Sequence, residues 1–104
     1  MNKIVKGAKR EPYLEMYEGI LELETLEECI NFFDDLCSVA ELRAIEQRFQ
    51  VARLLNSKHI YSSIQECTGA SSATISRVNR CLIYGKNGYS AVLDKLDKKS
   101  RAHG

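Results

Sequence analysis

No run of apolar residues in this 104-residue chain approaches the roughly 20 that a membrane-spanning helix requires, so no membrane partner is expected. The opening MNKIVKGAKR leads into an acidic amphipathic segment rather than an apolar one, and so does not read as a secretory signal. The four cysteines, Cys29, Cys37, Cys67 and Cys81, form no CxxC pair and stand at no zinc-ligand spacing from His59 or His103. They are expected to be reduced thiols of a cytoplasmic protein that pack as small hydrophobes, with Cys29 and Cys81 on apolar helix faces. A Gly-rich phosphate loop, HExxH, GxSxG and a histidine flanked by a nucleophile and an acid are all missing. Neither enzymatic chemistry nor a cofactor or metal is therefore expected.

What is present is a segregation of charge. The length suits one domain with a single core. Residues 1 to 10 hold four positive charges, residues 11 to 46 hold eleven acidic residues against Arg43, and residues 47 to 104 hold ten basic against three acidic. A net charge of +1 conceals this arrangement, which suits a nucleic-acid-binding surface joined to a separate oligomerisation platform.

Helical periodicity runs through nearly the whole chain, and the expected fold is all-α. Over residues 12 to 23, Tyr13, Met16, Tyr17, Ile20 and Leu21 repeat at three and four, with Pro12 at the start where a helix tolerates it. Over 26 to 37 the stripe is Leu26, Cys29, Ile30, Phe33, Leu36 and Cys37, opened by a Thr25/Glu28 capping box, with Phe32 off the stripe. Ser38 and Glu41 repeat that device ahead of a longer helix carrying Leu42, Ile45, Phe49, Ala52 and Leu55, which loosens at Asn56 and Ser57.

The segment after SKH changes character. IYSSIQECT makes about two helical turns through Ile60, Ile64 and Cys67 and ends at Gly69, suited to a left-handed C-terminal position. Ser71 then caps a helix bearing Ile75, Val78 and Leu82 that stops at Gly85. Two short helices joined by a tight glycine turn, over about residues 60 to 84, form a helix-turn-helix, whose second helix is laid into the major groove. With Ile75 and Val78 inward, Ser72, Ala73, Ser76 and Arg80 fall outward, with Thr74 and Arg77 on the flanks. A first turn of such short side chains lets the backbone approach a duplex, bringing hydroxyls to base edges or phosphates and methyls to thymine. Arg77 and Arg80, with Arg48, Arg53, Lys58 and Lys86 nearby in sequence, supply cations for phosphates. A glycine between helices also serves in plain αα-corners, and paired basic residues are often simply solvated. The conjunction of short helix, glycine turn, small-residue start and basic second half favours double-stranded DNA.

The run GASSATISRVNRCLIYG, with QRFQVARLL and FFDDLCSVAEL upstream, resembles the YerC/YecD group of Trp-repressor-like proteins over roughly residues 13 to 96. The resemblance implies an intertwined homodimer of six-helix subunits, the last helix spanning residues 89 to 97 with Tyr89, Val92, Leu93 and Leu96. The domain would then span 11 to 97, flanked by mobile segments 1 to 10 and 98 to 104. It places Ser72, Ala73 and Thr74 at the groove-facing start of the recognition helix, with Ser76 and Arg77 just behind. The Trp repressor has isoleucine, alanine, threonine, isoleucine, threonine, arginine there, so Ala73, Thr74, Ile75 and Arg77 are retained. A base-contacting arginine on its preceding helix is Ser62 here, which implies a different operator.

The same comparison argues against L-tryptophan as effector. Of two arginines that sandwich the indole in the Trp repressor, one is retained as Arg77, while its partner is Gln47, a glycine that makes room is Val78, and a serine that meets the amino group is Cys81. A one-residue shift on the third helix would bring Arg48 near instead, and Val78 would stay. The expected function is thus a homodimeric, sequence-specific DNA-binding transcriptional regulator whose DNA-binding residues are Ser62, Ser71, Ser72, Ala73, Thr74, Ser76, Arg77 and Arg80. The rival from another class is a dimeric helical module that binds protein through the acidic residues of 11 to 46, and a third is a redox sensor using Cys67 or Cys81.

Overall fold

The computed structural model describes residues 10 to 103, and six helices with no strand account for them. The basic start expected to be mobile lies, apart from Arg10, outside the described residues, as does Gly104. Two compact units divide the chain, one ending at Ser38 and the other beginning at Val39.

In the first unit, α1 spans Leu14–Ile20 and α2 spans Leu26–Leu36. The regular part of α1 is shorter than the expected 12 to 23. Pro12 precedes the N-cap, Tyr13, and the chain beyond Ile20 continues only as turns, with Glu22 N–H on Gly19 O at 3.0 Å and Leu23 N–H on Ile20 O at 3.1 Å. Thr25 caps α2 as its sequence predicts, its Oγ1 accepting from the Glu28 N–H at 3.0 Å. The Glu28 carboxylate reaches one residue beyond the expected box and accepts from Glu24 N–H at 2.9 Å. Phe32 and Phe33 meet edge to face, 5.4 Å between centroids. No residue of α1 or α2 is buried: Tyr13, Leu14, Leu26, Ile30 and Leu36 are exposed, and Leu21 just beyond α1 is 82% exposed.

In the second unit, α3 (Val39–Asn56) packs against α4 (Tyr61–Thr68), α5 (Ser72–Tyr84) and α6 (Gly88–His103). Its core is Val51, Ala52, Ile64, Ala70, Ile75, Val78 and Leu93, with Phe49, Leu54, Leu55, Leu82 and Tyr89 packed around it. The third-helix stripe needs correction, since Ile45 is exposed and Val51, absent from that stripe, is wholly buried. A helix covered by three others buries a wider arc than one stripe.

Local chemistry sets the helix ends. At the end of α3, Lys58 N–H bonds Leu55 O at 2.9 Å and His59 N–H bonds Leu54 O at 3.0 Å, a Schellman pattern that puts Lys58 at φ +69°. Gly69 closes α4 at φ +74°, the left-handed position expected of it. Gly85 ends α5 for a different reason: its φ is ordinary, but a Cβ there would stand 2.4 Å from the Cys81 carbonyl oxygen. Several side chains expected inward face out. Ile60, the N-cap of α4, and Cys67 are exposed, leaving Ile64 as the buried residue of a two-turn helix. Cys29 is half-buried, whereas Cys81 is exposed, on an open cleft of about 510 Å³ that it lines with Phe49, Gly85, Tyr89 and Val92. Helix α6 runs on to His103 through residues expected to form a mobile tail. Its apolar stripe ends at Leu96, but Asp97 to Ala102 contain neither glycine nor proline to stop a helix.

Candidate nucleic-acid interface

The turn between α4 and α5 is a closed hydrogen-bonded node. The Thr68 hydroxyl donates to Ile64 O at 2.7 Å and accepts from Ala70 N–H at 3.1 Å, while Gly69 N–H bonds Gln65 O at 2.8 Å. From α3, Gln47 Nε2 donates to Thr68 O at 3.1 Å. The bonds to Gln65 O and Thr68 O use carbonyls that the end of α4 would otherwise leave without partners. Ala70 is buried beneath the node, which anchors the turn to the core.

Ser71 opens α5. Its Oγ accepts from Thr74 N–H at 3.1 Å and donates to Thr74 Oγ1 at 3.2 Å. Ile75 and Val78, 0% and 2% exposed, fasten one side of the helix to the core. On the other side Ser72, Ala73, Ser76, Arg77 and Arg80 all reach solvent, and so does Ser62 in the first turn of α4. Ser71 is exposed and Thr74 half-buried, and their hydroxyls are engaged with each other. The eight residues singled out from sequence thus divide into six exposed side chains and a capping pair that shapes the helix start.

Helix α5 carries no acidic residue, and Glu66 is the one acidic residue of α4. Ser71 satisfies one of the N–H groups in the first turn, and helix geometry leaves those of Ser72 and Ala73 directed along the axis toward whatever lies ahead. Charge follows the two units: residues 39 to 104 hold eleven basic against five acidic residues, whereas residues 10 to 38 hold nine acidic against Arg10. Arg53 is engaged with Asp97 at 3.4 Å across an exposed α3–α6 pair. Among the described residues, no helix is long and apolar enough to cross a membrane, and no cluster of acidic, histidine and cysteine side chains is placed to hold a metal ion.

One residue and one bond escaped the sequence reading. Tyr84, 80% exposed in the last turn of α5, lies four residues beyond Arg80 and seven beyond Arg77, so it shares their face. That spacing was available in the sequence. The bond that Gln47 makes, a residue noted in the sequence only as standing where the Trp repressor has an arginine, was not recognisable, because its partner lies 21 residues away and no local pattern announces it.

Comparison with known proteins agrees with the all-helical fold. The sequence model of the Trp repressor protein family matches residues 11–97. A protein of Bacillus subtilis (strain 168) described as uncharacterized protein YerC is 49% identical over 82 residues, covering 79% of each chain. Among solved structures, a Trp repressor candidate from Staphylococcus aureus superposes with a TM-score of 0.77 at 46% identity, over 80% of this chain and 83% of that one. A TrpR-like protein from Eubacterium eligens ATCC 27750 gives 0.78 at 45% identity, over 81% and 87%. All six helices of this chain lie wholly or largely within the matched span, and the chain belongs to the Trp repressor family.

Proposed function

We propose that this chain is a sequence-specific DNA-binding transcriptional regulator that works as a homodimer, reads operator DNA with α5, and does not use L-tryptophan as its effector. The two-sidedness of α5 carries this reading: Ile75 and Val78 are sunk in the core, and the opposite face combines small side chains, two arginines and no carboxylate. Ser72 and Ala73 let the first turn approach the groove closely, with a hydroxyl for a base edge or phosphate and a methyl for thymine. Ser76, with Ser62 on α4, flanks that approach, and Arg77 and Arg80 take phosphates. Ser71 and Thr74 act by holding the helix start rigid, and Thr74 keeps a hydroxyl proton to donate.

Dimerisation is supported by the first unit, whose helices bury no residue in a single chain and present Tyr13, Leu14, Leu26, Ile30 and Leu36 to solvent. An apolar surface of that extent marks an interaction site, and a second copy would set two reading helices against successive major grooves, about 34 Å apart. Independence from tryptophan is supported by the buried Val78, which aligns with a space-making glycine of the Trp repressor, by the exposed Cys81 thiol, a weak acceptor for an ammonium group, and by Gln47, whose amide is already bonded to Thr68.

The test is recovery of fragmented genomic DNA on the tagged protein at low salt, followed by binding of the enriched duplex in a mobility shift. A reproducible enriched site shifted by wild-type protein is expected. Failure to shift any genomic duplex refutes the proposal and favours the protein-binding alternative through the acidic α1 and α2 faces.

A further inference from the structure

Apolar packing and hydrogen bonding do different work in holding α4 and α5 to α3. The contacts of Val51 and Ala52 with the core residues Ile64, Ile75 and Val78 are strong but non-directional, and small rotations about such a contact cost little. A hydrogen bond to a carbonyl is confined in distance and angle. The Gln47 amide supplies such a bond, running from the middle of α3 to the last carbonyl of α4, at the residue before left-handed Gly69. Thr68 is itself bonded to Ile64 O and Ala70 N–H, so a constraint applied at its carbonyl passes to both the end of α4 and the entry to α5.

We propose that Gln47 is a positioning residue, an internal latch that fixes the angle at which α5 is presented and so keeps the reading helix oriented for DNA in the absence of any bound ligand. The inference rests on the DNA-binding function proposed above and adds to it how the reading helix is regulated: orientation is built into the chain through one side-chain amide. Gln47 acts through Thr68 and needs no contact of its own with DNA. Loss of the latch leaves the apolar core in place, so the subunit stays folded while its reading helix samples a wider range of angles.

The test uses the full chain with Gln47→Met, which keeps the length and apolar stem but removes the donor, Gln47→Glu, which sets an acceptor against the Thr68 carbonyl, and Gln47→Lys, which restores a donor. Hydrogen exchange of the DNA-free protein is expected to quicken by about two- to tenfold at Gly69 and Ala70 in the Met and Glu variants and to return toward wild type in the Lys variant, in proportion to the net worth of one hydrogen bond. Affinity for the enriched duplex is expected to fall about three- to tenfold in the Met variant with an unchanged slope of log K against log salt, because no cation is removed. Unchanged exchange overturns the latch, and together with weakened binding would make Gln47 a direct DNA contact instead; quickened exchange with wild-type affinity overturns it as well. A wild-type protein that shifts no duplex refutes the DNA-binding function itself, whereas wild-type and Met proteins that bind equally well refute the latch alone.

Discussion

Replacing Ser71 separates helix capping from the DNA contact proposed for the α5 N-terminus, because stability and DNA binding should then move apart. Ser71→Ala removes the oxygen that accepts from Thr74 N–H at 3.1 Å and the hydroxyl that donates to Thr74 Oγ1 at 3.2 Å. Ser71 is exposed, so water replaces part of what is lost, and the cost is that of an ordinary N-cap, about 1 kcal/mol. In a domain of this size that is a fall of roughly 4–8 °C in Tm. Ser71→Asp keeps a capping oxygen and places a negative charge at the positive end of the helix, so Tm should stay within a few degrees of wild type or rise slightly. The same carboxylate stands where a DNA phosphate would approach the N–H groups of Ser72 and Ala73, and at about 4 Å such a repulsion is on the order of several kcal/mol at an intermediate dielectric. Affinity should fall at least about tenfold. Calorimetric melting paired with fluorescence-anisotropy titration of the enriched duplex reads both quantities. An Asp variant that binds as tightly as wild type would refute the idea that this helix end faces the phosphate backbone, and an Ala variant with unchanged Tm would refute the cap.

Three further outcomes follow from local geometry and from exposure. Lys58 holds φ +69°, where a Cβ is strained, so Lys58→Gly should raise stability by about 1 kcal/mol in denaturant titration even as it removes a cation beside the reading unit. Gly85→Ala should destabilise by about 1–3 kcal/mol, since its Cβ would stand 2.4 Å from Cys81 O, and a neutral result in the same titration would contradict the close approach. Light scattering at micromolar concentration should return twice the subunit mass, and Ile30→Asp, which sets a charge on the exposed apolar face of α2, should shift the protein toward monomer.

Helix ends were legible in the sequence because their causes are local. Thr25 and Ser71 each bond the N–H three residues on, and Gly69 takes the left-handed position its place implied. The outward face of α5 was legible for a related reason: once Ile75 and Val78 are assigned inward, a period of 3.6 places Ala73, Ser76, Arg77 and Arg80 opposite, and all four are exposed. What covers an apolar stripe was much less legible. Periodicity marked Ile60, Val92 and Leu96 as apolar-face residues, and all are exposed in the single chain, while Val51 was passed over because α3 is packed on more than one side. The Gln47–Thr68 bond lay beyond reach because it is set by tertiary packing between α3 and α4. The extent of α6 was misjudged because hydrophobic periodicity fades at Leu96 although helix-compatible residues continue to His103.

The central claim, that α5 reads duplex DNA with its arginines on the phosphates, is tested most directly by the salt dependence of binding to the enriched genomic duplex, wild type against Arg77→Ala. Log K for the wild type should fall linearly and steeply with log salt, and Arg77→Ala should bind more weakly across all sequences with a slope flatter by about one unit per subunit contact. Binding that is insensitive to salt, or an Arg77→Ala line that coincides with the wild type, would contradict it.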